Sequence, residues 1–145
     1  MTKSETDRAR AMGLLARAPA ALLEQLYPDL PAHTLLRGPE IGTVMVRGRQ
    51  GGTGAPFNLG EMTATRCTVR LGCGTVGHAH VQGRERTHAR RAAVLDALLQ
   101  TDQAAALSES VLAPLQRTEA TRRDTRAAKA AATRVEFFTL VRGED

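Results

Sequence analysis

The fold of this chain is decided by residues 47–67, which read R-G-R-Q-G-G-T-G-A-P-F-N-L-G-E-M-T-A-T-R-C. Glycine fills four of the first eight positions, and the residues after Pro56 alternate in the manner of a strand. Glycine accepts a positive φ and lets backbones approach closely. The stretch therefore predicts two strands joined by a glycine-rich loop.

The loop has two interpretations, which the residues alone do not separate. Arg47 and Arg49 carry planar, permanently charged guanidinium groups that suit carboxylate or phosphate, so the loop could bind an anion together with nearby backbone N–H groups. Alternatively, it is a long hairpin loop that packs against another protein. It is not a Walker A loop, because no lysine followed by Ser or Thr closes it, and a strand follows where a dinucleotide fingerprint needs a helix.

The candidate ligand-binding or interface residues lie in this loop and in the strand after it. They are Arg47, Arg49, Gly51, Gly52, Thr53, Gly54, Glu61 and Arg66. Glu61 interrupts the alternation just past the loop, and a structural ion pair with one of the three arginines is favoured over a role as general base. The pattern assigns no catalytic residue.

The rest of the chain predicts an α+β fold in one domain over residues 1–145. The first thirty residues form an N-terminal helical hairpin, and C-terminal helices include a long charged one that Pro114 introduces. A final strand over 135–141 has apolar residues on both faces, so it returns to the sheet or to a partner. Earlier strands are predicted at 34–36, 41–47, 59–71 and 75–82, giving an antiparallel sheet of about four to five strands.

The predicted core is thin and aliphatic, because the chain has three Phe, one Tyr and no Trp. In the helix after the sheet, the apolar line excludes Arg91 and Asp96. Such a core buries little area per residue, so contacts from a partner are expected to complete it. The core face of the long strand is predicted to carry Leu59, Thr63, Cys67, Val69 and Leu71.

The formal net charge is +5, and Lys3 and Lys129 are the only lysines. A small basic nucleic-acid-binding protein is one alternative that fits this charge. The chain lacks an aromatic-rich face and an RNP-like or helix-turn-helix signature, so nucleic acid is not the favoured partner. Arg122, Arg126 and Lys129 form a basic stripe at helical spacing, which is typical of a solvated face.

The histidines and cysteines do not predict a metal site. His78 and His80 point to one side of a strand and could in principle bind zinc with His88 or Cys73, but no known ligand spacing supports this. Cys67 is predicted to be a small core residue. The chain shows no signal peptide and no membrane span, so we expect a cytoplasmic protein without disulfides and with no cofactor of its own.

Four separate blocks of the sequence resemble the PhnG family, a subunit of the bacterial carbon–phosphorus lyase system. The resemblance covers nearly the whole chain and is weakest between residues 100 and 134. The blocks are G-R-Q-G-G-T-G-A-P-F-N-L-G-E-M-T-A-T-R-C (48–67), G-T-V-G-H-A-H-V-Q-G-R (74–84), D-A-L-L-Q (96–100) and A-T-R-V-E-F-F-T-L-V-R-G-E-D (132–145).

The resemblance implies an obligate hetero-oligomer with PhnH-, PhnI- and PhnJ-like core subunits and a PhnL-like ATPase. In that family PhnG, PhnH, PhnI and PhnL together displace adenine from ATP by an alkylphosphonate, which forms a ribose 1-phosphonate 5-triphosphate. PhnJ later cleaves the carbon–phosphorus bond. No activity belongs to PhnG alone and no catalytic residue can be transferred, so the resemblance implies an auxiliary subunit with surfaces that interlock with its neighbours.

Overall fold

The computed structural model describes the backbone of residues 3–134 and the side chains of residues 5–134. The fold is α+β, as the sequence predicted. In chain order its elements are α1 (Lys3–Arg17), α2 (Ala20–Leu26), β1 (His33–Arg49), β2 (Pro56–Leu71), β3 (Val76–Gln82), α3 (Arg86–Leu98), α4 (Ala104–Leu107), a π-helical turn (Ser108–Leu112) and α5 (Ala113–Ala132).

The described sheet has three antiparallel strands in the order β1-β2-β3. The strands predicted at 34–36 and 41–47 are a single strand, β1, in which the register slips between Arg37 and Glu40. Gly38 and Pro39 occupy that irregularity, and since proline has no N–H to donate, a bulge lets the strand continue past it. The final strand predicted at 135–141 lies outside the described residues.

Helix α3 packs on one face of the sheet and forms the centre of the molecule. All residues from Arg91 to Leu98 are buried, including Asp96, which is 1% exposed. The expectation that Arg91 and Asp96 lie outside the core is therefore wrong. Because the sheet covers one side of α3 while α1 and α2 contact it elsewhere, a single apolar stripe does not describe its buried surface.

Close contact between α3 and β3 depends on Gly77. A Cβ atom at this position would collide with the Ala93 carbonyl oxygen and lie 2.6 Å from the Ala97 backbone nitrogen. Ala93 and Ala97 are themselves fully buried. Small side chains on both elements thus allow backbone contact, which is how a chain poor in aromatics fills its core.

The helical side is completed by α1, α2 and the continuous helix that runs over 104–132. Leu14, Leu15 and Leu23 from the N-terminal helices meet Val111 and Leu115 in the core. The turn Ser108–Leu112 is π-helical. Beyond Leu115, no residue of α5 is buried.

The core face of β2 is only partly as predicted. Cys67, Val69 and Leu71 are buried, whereas Leu59 is 66% exposed. The cause is the length of the neighbouring strand, since β3 pairs with β2 only between Ala64 and Arg70. Leu59 lies past the end of β3, where nothing described covers the strand.

Candidate functional site

The two long strands continue beyond the third and form a free hairpin, residues 43–63, that we call the arm. Over this length β1 pairs only with β2, and no residue of the arm is buried. A two-stranded hairpin is marginally stable in water on its own, since it has no third layer to cover either face. Within the described residues, the arm is therefore held mainly by the pairing of its own two strands.

Large apolar side chains are exposed on both faces of the arm. Val44 and Met45 are neighbours in β1 and so point to opposite faces, with 39% and 51% of their surface exposed. Phe57 is 45% exposed, and its ring lies against Gly48 on the facing strand. All seven exposed large hydrophobic residues among residues 5–134 belong to β1 or β2: Leu35, Leu36, Ile41, Val44, Met45, Phe57 and Leu59.

The glycines at the tip of the arm are explained by the loop itself. Gly51 and Gly52 have φ values of 60° and 84°, which other residues rarely adopt. The Gly54 N–H donates to the Gln50 carbonyl at 2.8 Å, and a Cβ on Gly54 would lie 2.6 Å from that oxygen. Thr53 is exposed beside them. Tight closure of the loop thus requires glycine without any ligand.

The two arginines of the loop have different surroundings. Arg49 donates from Nη1 to the Gly54 carbonyl at 3.2 Å, so it helps to close the loop. Arg47 is exposed and makes no ion pair within residues 5–134. Both lie on the same face of β1, two positions apart. Arg47 is therefore the guanidinium at the tip that is most available to an outside group.

The candidate residues further along β2 are not brought to the loop. Glu61 is exposed opposite Met45, and within the described residues it pairs with none of the three arginines. Arg66 lies ten positions after Pro56, roughly 33 Å along the strand. Its Nη2 is 3.4 Å from Glu40 at the root of the hairpin. The eight candidates therefore form a cluster at the tip and two separate positions.

The histidines and cysteines lie as their pattern predicts. His78 and His80 are both exposed on one face of β3, while Ala79 and Val81 are buried on the other. Cys67 is 1% exposed, and burial raises the pKa of its thiol. Residues 5–134 contain no group of three or more His, Cys, Asp or Glu side chains that could hold a metal ion.

The buried ionisable groups are bonded within the fold; the sequence pattern placed His88 on the apolar line of α3 but not Arg91 or Asp96. Asp96 accepts from Arg8 and also from the His78 N–H at 2.9 Å. His88 donates from Nε2 to the Leu15 carbonyl at 2.8 Å, and burial lowers its pKa. Arg91 donates to the Tyr27 carbonyl. These contacts hold α3 to α1, to the end of α2 and to β3, and they leave no buried ionisable group of residues 5–134 without a protein partner.

A groove of about 830 Å³ runs beside this network between α1 and the helix over 104–132. Arg8 and Asp96 line it, but they are already bonded to each other. The pairing with Asp96 raises the pKa of Arg8, so the guanidinium stays charged. Of the ionisable side chains that line the groove, Arg8 and Asp96 are therefore satisfied by each other.

Comparisons with known proteins identify the family of this chain. The family model described as "Phosphonate metabolism protein PhnG" matches residues 6–143. The chain belongs to the PhnG family. This confirms the resemblance seen in the glycine loop and the three other blocks.

A PhnG protein from Rhizobium meliloti (strain 1021) is 48% identical over 146 residues, which cover 96% of this chain and 91% of that protein. It is named alpha-D-ribose 1-methylphosphonate 5-triphosphate synthase subunit PhnG. The two matches confirm the prediction of a subunit role in phosphonate metabolism. Among the described helices, none combines the length and the apolar character that a membrane span requires.

Proposed function

We propose that this chain is an auxiliary, non-catalytic subunit of an alpha-D-ribose 1-methylphosphonate 5-triphosphate synthase, and that its arm docks on another subunit. The reaction transfers the ribose triphosphate moiety of ATP to an alkylphosphonate. A phosphonate oxygen forms the new bond at the ribose anomeric carbon, and the bond from that carbon to adenine breaks. PhnH- and PhnI-like chains and a PhnL-like ATPase act with this chain in the cytoplasm, and the same core holds a PhnJ-like subunit.

The observation that carries this proposal is the exposure of the arm. Several large exposed apolar side chains on one element favour a protein–protein contact there, because water disfavours such surface and monomers rarely keep much of it. Met45, Phe57 and Leu59 together combine a flexible side chain, an aromatic ring and an aliphatic anchor. Aromatic residues and Met are enriched at the centres of interfaces. A subunit that covers the arm would also supply the missing third layer.

An auxiliary role agrees with the state of the ionisable residues. The buried groups His88, Arg91 and Asp96 are engaged in hydrogen bonds inside the fold. A catalytic group has to touch the reacting atoms, and the polar atoms of these side chains are already bonded to protein partners. The proposal accordingly assigns neither a catalytic residue nor a cofactor to this chain.

In the alternative, this chain binds ATP phosphates or phosphonate directly. Arg47, at the tip of the arm, is the residue most available for that contact. Charge-assisted hydrogen bonds to a phosphate group contribute about 1.5–3 kcal/mol each, so loss of one would weaken substrate binding roughly tenfold or more. Docking predicts a smaller effect, because a single exposed arginine at the edge of an interface contributes little.

The test uses the synthase made by co-expression of all its subunits, with adenine release from ATP and methylphosphonate as the assay. We expect no assembled, active synthase when this chain is omitted. Arg47→Ala together with Arg49→Ala should leave the complex whole and lower adenine release only modestly. An intact complex whose adenine release falls a hundredfold would reject the docking interpretation and place the loop in the active site.

The chain made alone is expected to aggregate or to form unstable oligomers through its arm. A variant with Met45→Ser, Phe57→Ser and Leu59→Ser, which we call the polar arm variant, should stay soluble, because none of these side chains is buried in the fold. A wild-type chain that unfolds cooperatively as a monomer at low micromolar concentration would contradict the need for a partner.

A further inference from the structure

The end of the described chain is a helix that leaves the body of the protein. Every residue from 120 to 134 is exposed, and the only buried residue of α5 is Leu115. The last described side-chain bond between α5 and another element joins Glu119 to Arg17, at 2.6 Å. After this pair, more than three turns of helix contain no buried residue.

Most of the net charge of the chain is concentrated on this projecting segment. Residues 120–134 contain Arg122, Arg123, Arg126, Lys129 and Arg134 against one acid, Asp124, so their net charge is 5 − 1 = +4. The whole chain, counted over all 145 residues, has a net charge of +5. The segment thus combines complete exposure with a strong excess of positive charge.

Three of these cations form a line, which we call the basic stripe: Arg122, Arg126 and Lys129. Positions i, i+4 and i+7 lie on one face of a helix, and the stripe is about 10 Å long. Leu115 and Glu119 fall on the same line, so the stripe extends the seam by which α5 contacts α1. Within residues 5–134 no acid forms an ion pair with any member of the stripe.

A bare helix of this kind is poorly supported by its own residues. Arg122 and Arg126 are like charges at i and i+4, which destabilises a helix by a few tenths of a kcal/mol, roughly. Most helical stability in proteins comes from packing of one buried face, and no residue of this segment is buried. Opposite charges placed along the stripe would remove the repulsion and cover the helix.

We propose that the basic stripe binds an acidic surface on another subunit of the synthase, as a second contact distinct from the apolar arm; this rests on the proposed function. The chemistry of the helix disfavours single-stranded nucleic acid, and binding of duplex DNA is an outcome of the test below. Single-stranded nucleic acids are bound with aromatic platforms, and the described aromatic residues, Tyr27 and Phe57, do not belong to α5. The face opposite the stripe carries Ala127 and Ala131, so the helix is narrow enough to lie in a groove.

The test is the retention of this chain on a tagged partner subunit after co-expression, measured at about 0.05 M and about 0.5 M NaCl, since salt screens exposed charges. The variant is Arg126→Glu with Lys129→Glu, which reverses two charges of the stripe. The control is Arg117→Glu with Arg123→Glu, which changes the net charge equally on other faces of the same helix. A DNA duplex is offered to each complex as a competing polyanion.

We expect reversal of the stripe to lower retention roughly tenfold at low salt, and the control to retain the wild-type amount. Retention of the wild type should differ between the two salt concentrations, and this difference should be smaller for the stripe variant. If the wild type is retained and the stripe variant matches it, the inference is wrong while the proposed function stands. Stripe-dependent binding of the duplex would overturn the protein partner, and failure of the wild type to be retained at all would refute the proposed function.

Discussion

Arg8 and Asp96 are 88 positions apart in the chain and form a two-point ion pair that joins α1 to α3. Arg8 donates from Nε to one carboxylate oxygen at 3.0 Å and from Nη2 to the other at 2.8 Å. The second oxygen also accepts the His78 N–H at 2.9 Å. One buried carboxylate thus joins two helices to β3, which is an edge strand of the described sheet.

Replacing Arg8 and replacing Asp96 should both destabilise the fold, but by different amounts. Arg8→Met leaves the Asp96 carboxylate without its counter-charge, and because Arg8 is 39% exposed and the groove admits solvent, we expect a cost of about 2–3 kcal/mol. Asp96→Asn removes the buried charge and keeps an oxygen for the His78 N–H, so it should cost about 1–2 kcal/mol. Urea denaturation in the background of the polar arm variant measures both. Equal losses would show that the groove solvates the carboxylate.

Gly77→Ala should disrupt the contact between β3 and α3. The new Cβ meets backbone atoms of Ala93 and Ala97, which cannot move aside as a side chain could, so we expect a loss of about 3 kcal/mol. Gly72→Ala is the control, because a Cβ there meets nothing within 4 Å, and it should stay within about 0.5 kcal/mol of wild type. A stable Gly77→Ala variant would mean that the helix lies further from the sheet.

His88 should make stability depend on pH. Burial lowers its pKa in the folded state, so the unfolded chain binds a proton more readily. Its contribution is complete above the ordinary histidine pKa of about 6.5 and is lost as pH falls from there toward the folded-state value. His88→Gln keeps a donor for the Leu15 carbonyl without titrating. The slope of unfolding free energy against pH below 6.5 should therefore be smaller in that variant, and an unchanged slope would exclude His88 as its source.

The assembled synthase should carry no zinc bound by this chain. His78 and His80 share an exposed face, but no third ligand joins them among residues 5–134. Metal analysis of the complex should give the same content after His78→Ala with His80→Ala. Replacing Cys67 and Cys73 with small residues should also leave assembly intact. Stoichiometric zinc that disappears with the two histidines would contradict this.

The sequence predicted the element types well, because their periodicity is local. The alternation in β2 and β3 and the positive φ of Gly74 in the turn between them need no knowledge of distant residues. The predicted gap between the strands at 34–36 and 41–47 is absent for a tertiary reason. Pairing with β2 carries β1 across the bulge.

Burial was harder to predict, because it depends on which element ends first. Leu59 continues the apolar alternation of β2, yet β3 ends before reaching it. The alternation of a strand is the same whether the residues that bury its apolar face belong to its own chain or to a partner. Asp96 posed the opposite problem. Its charge indicated the surface, whereas Arg8 and the His78 N–H supply bonds that make burial possible.

The candidate site could be predicted in composition but not in arrangement. The tip residues Gly51, Gly52 and Gly54 lie together as their proximity in sequence requires. Arg66 lies on β2, the strand that follows the loop, but at the root of the hairpin, where it pairs with Glu40. Only the lengths of β2 and β3 separate these positions, and no short motif encodes those lengths.

The central claim, that the apolar arm joins this chain to its synthase, is tested most directly by co-purification of the polar arm variant with a tagged PhnI-like subunit. The control is a variant with Thr43→Ser and Asn58→Ser, which changes two polar positions of the same arm. A buried aromatic anchor contributes about 2 kcal/mol or more at an interface, so the retained amount should fall at least roughly tenfold, while the control is retained as wild type. A soluble polar arm variant that co-purifies in wild-type amounts would contradict the claim.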